Sequence, residues 1–193
     1  MLIHLDEAQV RALLRWDDLI PAMERALAEY SIGRLIQPVR TVLPIEESKR
    51  YFGLMPAIAG DVMGLKAVTF YPVNAGTEIP THQAMILLFD IATGEPLAVM
   101  DGRLITEMRT AAVSAAVTNR LASPDAHVLA LLGSGVQAKA HLEALRCVRK
   151  FDEVRVWSRN PEHAQRFAQE HGVRTTDAES AVRGADVIVT ATG

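Results

Sequence analysis

Over the first 122 positions, apolar residues come in short runs broken by turn residues, and from residue 123 onward strand-like and helix-like patterns alternate strictly. Asp6 and Asp17 stand where N-caps would open helices over Glu7 to Leu14 and Asp18 to Tyr30, the second with Leu19, Met23, Leu27 and Tyr30 on one side. Runs at Arg40 to Ile45, Tyr51 to Met55, Met63 to Tyr71, Ala84 to Asp90 and Pro96 to Met100 then predict a mostly antiparallel sheet, with Ala92-Thr-Gly-Glu95 as a hairpin turn. Leu104 to Leu121 predicts a long helix. Its Thr110, Ala111, Ala112, Ser114, Ala115 and Ala116 suit close packing on several sides, and Ser123-Pro124-Asp125 ends it.

The later region reads as strand His127 to Leu132, helix Val136 to Val148, strand Glu153 to Trp157, helix Pro161 to His171, strand Val173 to Thr175, helix Ala178 to Arg183 and strand Asp186 to Thr192. Asn160 and Pro161 open the middle helix as N-cap and N1, and Gly172 closes it. Such alternation means parallel strands joined by right-handed crossovers, with the fourth strand on the far side of the first. The expected fold class is α/β: an incomplete Rossmann dinucleotide-binding domain over 123–193, preceded by an α+β domain over 1–122. It is incomplete because the pattern stops just after the fourth strand, leaving an apolar edge. A truncated chain is expected, poorly soluble unless a partner covers that strand.

The chemistry starts at the first joint of this region. Val128-Leu-Ala-Leu-Leu132 is a buried-strand run, and Gly133-Ser-Gly-Val-Gln-Ala138 turns it into a helix with Ala140, Leu142, Leu145 and Val148 at helical spacing. In a dinucleotide-binding turn, the position of Gly133 allows the bend, that of Gly135 lets the backbone approach a pyrophosphate, and a small residue such as Ala138 lets helix and strand pack. The diphosphate would rest on the free N–H groups of the helix N-terminus.

The second strand decides which dinucleotide is expected. About twenty residues after Gly133 stand Asp152 and Glu153, but they lie at the wrong end of that strand to reach a ribose. The end beside the crevice carries Trp157-Ser158-Arg159-Asn160, with a guanidinium and no carboxylate. Arginine pairs well with phosphate, so this pattern favours NADP(H) over NAD(H).

Composition narrows the field. The 193 residues carry a net charge of −3 with the signs interspersed, and no basic block or basic-aromatic stripe points to nucleic acid. No run approaches the roughly 18 apolar residues that would span a bilayer, and the first residues lack the pattern of a signal peptide, so a cytoplasmic location is expected. The single Cys147 has no Cys or His at ligand spacing, so packing is its expected role and no metal site is expected. His141, His163 and His171 are placed on solvated helix surfaces, which leaves His82 as the histidine of interest. Neither a Gly-x-Ser-x-Gly elbow nor a Gly-Lys-Ser/Thr phosphate loop is present.

Two cations sit awkwardly for a plain scaffold. Lys66 interrupts Met63-Gly-Leu-Lys-Ala-Val-Thr-Phe-Tyr71 with apolar neighbours on both faces, where either an anion or snorkelling to water would satisfy it. Arg109 lies in the first turns of the long helix, where the macrodipole disfavours a cation and an anionic ligand would resolve the conflict. On pattern alone Arg40, in Gln37-Pro-Val-Arg-Thr41, is a surface residue.

Several runs in order resemble the ornithine cyclodeaminase/mu-crystallin family: Gln37-Pro-Val-Arg-Thr-Val42, Gly53-Leu-Met-Pro56, Leu65-Lys-Ala-Val-Thr-Phe-Tyr71, Pro80-Thr-His-Gln83, Ala98-Val-Met-Asp-Gly102, Arg109-Thr-Ala-Ala-Val-Ser-Ala115, Leu132-Gly-Ser-Gly-Val-Gln-Ala138, Val154-Arg-Val-Trp-Ser-Arg159 and Ala185-Asp-Val-Ile-Val-Thr190. The resemblance implies a homodimer whose first domain binds substrate and forms the subunit contact, followed by the NAD(P) domain. It implies that Arg40, Lys66 and Arg109 bind the carboxylate of a small amino or imino acid, with Lys66 in the catalytic role. It places Thr81, His82, Arg109, Gly133, Ser134, Gly135, Val136, Gln137, Ser158, Arg159, Asn160 and Thr192 near the cofactor. Members continue through the rest of the dinucleotide sheet and carry a catalytic Asp there.

The implied activities share one geometry, a carboxylate clamp that holds the α-carbon against a nicotinamide. The expected reaction is NAD(P)H-dependent reduction of a cyclic imino acid such as pyrroline-2-carboxylate. The alternatives are cyclisation of ornithine to proline and ammonia with recycled NAD, alanine dehydrogenation, and NADPH binding without turnover.

Overall fold

The computed structural model describes residues 1–45 and 49–192. The chain divides into two compact units, Met1–Leu14 with Arg25–Thr106, and Arg15–Glu24 with the chain from Glu107 onward.

The first unit is built on a six-stranded sheet: β1 (Ile3–Leu5), β2 (Thr41–Ile45), β3 (Arg50–Ala59), β4 (Val62–Phe70), β5 (His82–Asp90) and β6 (Pro96–Asp101), in the order β1-β6-β5-β4-β3-β2. The expected strands are present, and β3 runs on to Ala59, where Gly60 at φ 61° makes the turn into β4. The β5–β6 hairpin closes as its turn residues foretold. Asp90 accepts from Ala92 N, Thr93 N and Thr93 Oγ1, and Gly94 takes the left-handed position at φ 73°. All neighbours are antiparallel except β1, which runs parallel to β6. Local periodicity could not reveal a three-residue strand whose partner lies some ninety positions away in sequence.

Helix α1 (Glu7–Leu13) begins with a capping box, Gln9 N donating to Asp6 at 2.8 Å and Asp6 N to Gln9 Oε1 at 2.9 Å. Glu7 also receives Arg103 Nε at 2.8 Å. That bond from Arg103 is the main reason the Glu7 carboxyl is held below the usual carboxylate range, with Arg11 adding to it. The next helix, α2 (Trp16–Ser31), starts earlier than expected. Asp17 is therefore no cap but a first-turn residue beside Asp18, where both carboxylates meet the positive end of the helix.

In the second unit β7 (Val128–Leu132), β8 (Glu153–Trp157), β9 (Arg174–Thr175) and β10 (Val187–Thr190) form a parallel sheet in the order β10-β7-β8-β9, with the fourth strand beyond the first as the alternation required. Helices α4 (Val136–Val148), α5 (Pro161–His171) and α6 (Ala178–Val182) connect them. The long helix α3 (Arg103–Leu121) starts on Asp101, whose carboxylate accepts Arg103 N, and the C-terminal end of α3 is tied by Arg149, which donates to the Asn119 and Ala122 carbonyls. The core joins Leu129, Leu131, Val154 and Val156 of the sheet to Ala111, Ala112, Ala115 and Ala116 of α3 and to Leu142 and Leu145 of α4. At the far end of the sheet, Asp186 accepts the N–H groups of His127 and Val128 at 2.9 and 2.8 Å, which holds its carboxyl low and pins β10 to β7. Cys147 departs from its expected packing role. It is exposed, and desolvation of its sulfur, aided by Asp17 and Glu143, pushes the thiol up.

Candidate functional site

The glycine turn lies between the ends of two strands. Gly133 N donates to the Trp157 carbonyl at the end of β8, and Ala191 N donates to the Leu132 carbonyl at the end of β7, both at 2.7 Å. The sheet order reverses here, at the place where open α/β sheets bind ligands.

The two glycines are required for different reasons. Gly133 has φ 124°, and a Cβ on it would stand 2.3 Å from the Ala191 carbonyl oxygen, so both backbone and packing exclude any other residue. Gly135 has φ −90°, which any residue adopts, and a Cβ there would meet no atom of the described residues within 4 Å. Nothing inside the chain demands glycine at 135, and the open space above it is where a backbone must stay bare for a phosphate to approach. Gly135 is also the N-cap of α4 and makes no side-chain cap, so the first N–H groups of a 13-residue helix are left for an anion. Gln137, the second residue of α4, is half-buried and carries a side-chain amide whose N–H groups can donate. These features fit the diphosphate of a dinucleotide.

Around this turn the structure gathers the expected cofactor residues from Ser134 to Gln137 and from Ser158 to Asn160, with Thr192. The β7–β8 register pairs Leu132 with Trp157 and Val128 with Glu153, so Ser158, Arg159 and Asn160 follow the strand end beside the turn and Glu153 lies at the other end. There Glu153 is held by Arg155 at 2.8 Å, a bond that lowers its carboxyl. Ser158 is half-buried and Arg159 exposed, while Asn160 Oδ1 accepts Glu162 N at 2.9 Å as the cap of α5. Ser134 is half-buried, Val136 is exposed, and Thr192 follows β10 at the same edge.

In the first unit, Lys66 of β4 pairs in register with Met55 and Ile86 and is half-buried, its Nζ 3.4 Å from Thr106 Oγ1. The Thr106 hydroxyl donates to the Gly102 carbonyl at 2.6 Å, which turns its lone pairs toward the ammonium. Arg40 is exposed and directly precedes β2, where Thr41 faces Leu54, so the next register position sets it opposite Met55. Arg40 and Lys66 thus share a level of the sheet two strand spacings apart, about 10 Å. His82 pairs with Phe70, two alternations along from Lys66, and so lies on the Lys66 face, while the Thr81 carbonyl accepts Tyr71 N at 2.7 Å. Arg109 belongs to the second unit, exposed on α3 three residues after Thr106.

Two of the three helix histidines are less solvated than the sequence pattern suggested. His163 is exposed and His171 packs its ring on Phe167, but His141 is only 6% exposed. The signal was available, since Ala138, His141, Leu142 and Leu145 follow helical spacing on one buried face. Among the described residues no group of three or more His, Cys, Asp or Glu could hold a metal ion, and no helix is long and apolar enough to cross a membrane.

Residues 3–193 match the model of the ornithine cyclodeaminase/mu-crystallin family. The chain is 47% identical over 182 residues to ketimine reductase mu-crystallin of Mus musculus, covering 90% of this chain and 58% of that protein. It thus spans less than two thirds of that relative. Among solved structures it resembles the Thermococcus litoralis Delta(1)-pyrroline-2-carboxylate reductase in complex with NADH and L-proline, at a TM-score of 0.90 and 32% identity over 98% of this chain and 62% of that one. It also resembles an archaeal alanine dehydrogenase dimer with bound NAD, at a TM-score of 0.91 and 33% identity over 98% of this chain and 60% of that one.

These two structures hold NADH and NAD, which overturns the preference for NADP(H) drawn from Arg159. The physical reason is that a strand end without a carboxylate does not by itself select a 2′-phosphate. A hydroxyl such as that of Ser158 can bond a ribose diol, and the Asn160 carbonyl is already committed to the α5 cap. With its order of motifs, its fold and the length of the match in agreement, the chain belongs to the ornithine cyclodeaminase/mu-crystallin family.

Proposed function

We propose that this chain is part of an NAD(H)-dependent enzyme that reduces a cyclic imino acid, the C=N carbon beside a carboxylate taking a hydride and the nitrogen a proton. The observation that carries this reading is the bare Gly135 at the uncapped start of α4, a cradle that the chain itself does not need. Similarity to a ketimine reductase and a pyrroline-2-carboxylate reductase supports the substrate class. When bound, the nicotinamide supplies the hydride.

The chain's own residues bind and orient. The first N–H groups of α4, with Ser134 and Gln137, hold the diphosphate, and Ser158, Arg159 and Asn160 lie along the adenosine side. Thr192 completes the cofactor's surroundings in the second unit. Arg40 and Lys66 hold the substrate carboxylate. Lys66 acts as the catalytic residue by fixing the α-carbon, its ammonium aimed by the Thr106 hydroxyl. Orientation of this kind is worth several kcal/mol of barrier.

We further infer a homodimer through the sheet face opposite Lys66. This face leaves Leu43 and Met85 about half exposed and has an apolar hollow of about 510 Å³ lined by Ile36, Pro38, Pro56, Leu65 and Phe89. Sedimentation would show a single dimeric species.

The test is NADH consumption with pyrroline-2-carboxylate, which Lys66→Met should abolish while leaving NADH binding intact. Turnover of pyruvate plus ammonia would favour alanine dehydrogenation, a second reading supported by the archaeal dimer. Ammonia release from ornithine with no net change in cofactor would favour the cyclodeaminase. NADH binding without any turnover would sink all three.

A further inference from the structure

We propose that His141 is a positioning residue for dinucleotide binding, a neutral imidazole that fixes the helix carrying the glycine turn against α3 through Ser114. The proposal rests on the reading of the glycine turn as a diphosphate site. Its geometry stands apart from that reading and lies wholly within the second unit.

His141 Nδ1 is 2.7 Å from the Gln137 carbonyl oxygen, and Nε2 is 3.0 Å from Ser114 Oγ. A carbonyl can only accept, so the proton sits on Nδ1, Nε2 is left as an acceptor, and the Ser114 hydroxyl donates to it. The other acceptor near Ser114, the Thr110 carbonyl, is 3.5 Å away, at the limit of a hydrogen bond. Both ring nitrogens are therefore satisfied in the neutral form, which is what burial in an apolar core requires.

Two consequences reach the candidate site. First, α3 and α4 contribute mostly small side chains to a shared core, Ala111, Ala112, Ala115 and Ala116 from one and Ala138, Ala140 and Ala144 from the other, all at most 2% exposed. Methyl groups pack in many registers, whereas a hydrogen bond between Ser114 and His141 selects one. Second, the carbonyl that His141 engages belongs to the peptide linking Gln137 to Ala138, whose N–H is among the free donors at the start of α4. A bond to the carbonyl polarises that peptide and strengthens its N–H toward an anion. His141 touches no ligand in this scheme and acts one turn below the diphosphate.

The experiment compares wild type, Ser114→Ala, Ser114→Thr and His141→Phe by NADH titration, thermal melting and steady-state kinetics. Loss of the Ser114–His141 bond in Ser114→Ala should weaken NADH roughly three- to tenfold, about what one hydrogen bond contributes. The effect should fall on the KM for NADH with kcat little changed, and Ser114→Thr, which keeps the hydroxyl, should restore wild-type affinity. His141→Phe should weaken NADH at least as much as Ser114→Ala, and nitrogen NMR of wild type should show the neutral Nδ1–H tautomer. A Ser114→Ala protein with a lowered melting temperature and unchanged NADH affinity overturns the positioning role, as does the Nε2–H tautomer. Failure of wild type to bind NADH removes the dinucleotide reading and this proposal together, while the tautomer and the melting shift would still report the bond itself.

Discussion

Along β7 every residue from Val128 to Leu131 is buried, while along β4 only Val68 is, although both segments are mainly apolar. The difference lies in what covers each strand. A parallel strand inside a crossover sheet has helices on both faces, whereas the antiparallel sheet of the first unit leaves one face half open. A similar apolar run therefore means core in one unit and a surface available to a partner in the other. The candidate chemistry follows the same division. In the second unit it centres on main-chain donors at a sheet end, and in the first on the long cationic side chains of Arg40 and Lys66 at one level of a sheet.

The largest effect that could break this comparison comes from the turn. Gly133→Ala should destabilise the second unit by about 2 to 5 kcal/mol, since it adds backbone strain to a contact that cannot relax, and chemical denaturation would measure it. Leu131→Ala, at a position fully buried, should lower stability by about 2 to 5 kcal/mol. Leu43→Ala in the other sheet, 49% exposed, should cost under about 1 kcal/mol in a monomer. Equal losses at the two leucines would show that the open sheet face is no surface at all.

Gly135→Ala sharpens the contrast between the glycines. It should leave the melting temperature almost unchanged yet weaken NADH by at least about tenfold, because the added methyl meets only the ligand. A stable protein with full affinity would remove the cradle.

Smaller effects come from the carboxylates that tie each unit. The Asp186 carboxyl is held low by the His127 and Val128 amides, so its contribution is present above the unfolded value of about 3.9 and disappears as pH falls through the lowered folded one. Asp186→Ala should thus lower the melting temperature at neutral pH, with the difference from wild type closing in acid. Glu7→Gln, in the first unit, should matter least, about 0.5 to 1 kcal/mol, because its pair with Arg103 is partly solvated.

Legibility also differed between the units. Helices α4 and α5 and strand β8 fall within the bounds that periodicity and capping residues set, because a buried crossover unit writes its period, caps and glycines locally. In the first unit the strands were visible, but β1 and the far half of β3 were not, since long-range pairing decides them. The site divided likewise. Gly133, Gly135 and the strand end at Ser158 were readable from spacing, while the chemical meaning of Arg159 was not, because a guanidinium at a strand end is compatible with either dinucleotide.

The amino-acid sequence alone carried the alternating pattern, the glycine turn at a strand-to-helix joint, the strand order of the parallel sheet and the family resemblance, since each is written in residues close along the chain or in motifs with a fixed order. It took the folded chain to show that Gly133 answers to Ala191 while Gly135 answers to none of the described residues, and that His141 is buried against Ser114. Those facts depend on atoms brought together from positions some thirty to sixty residues apart, and no local pattern carries the distance between them.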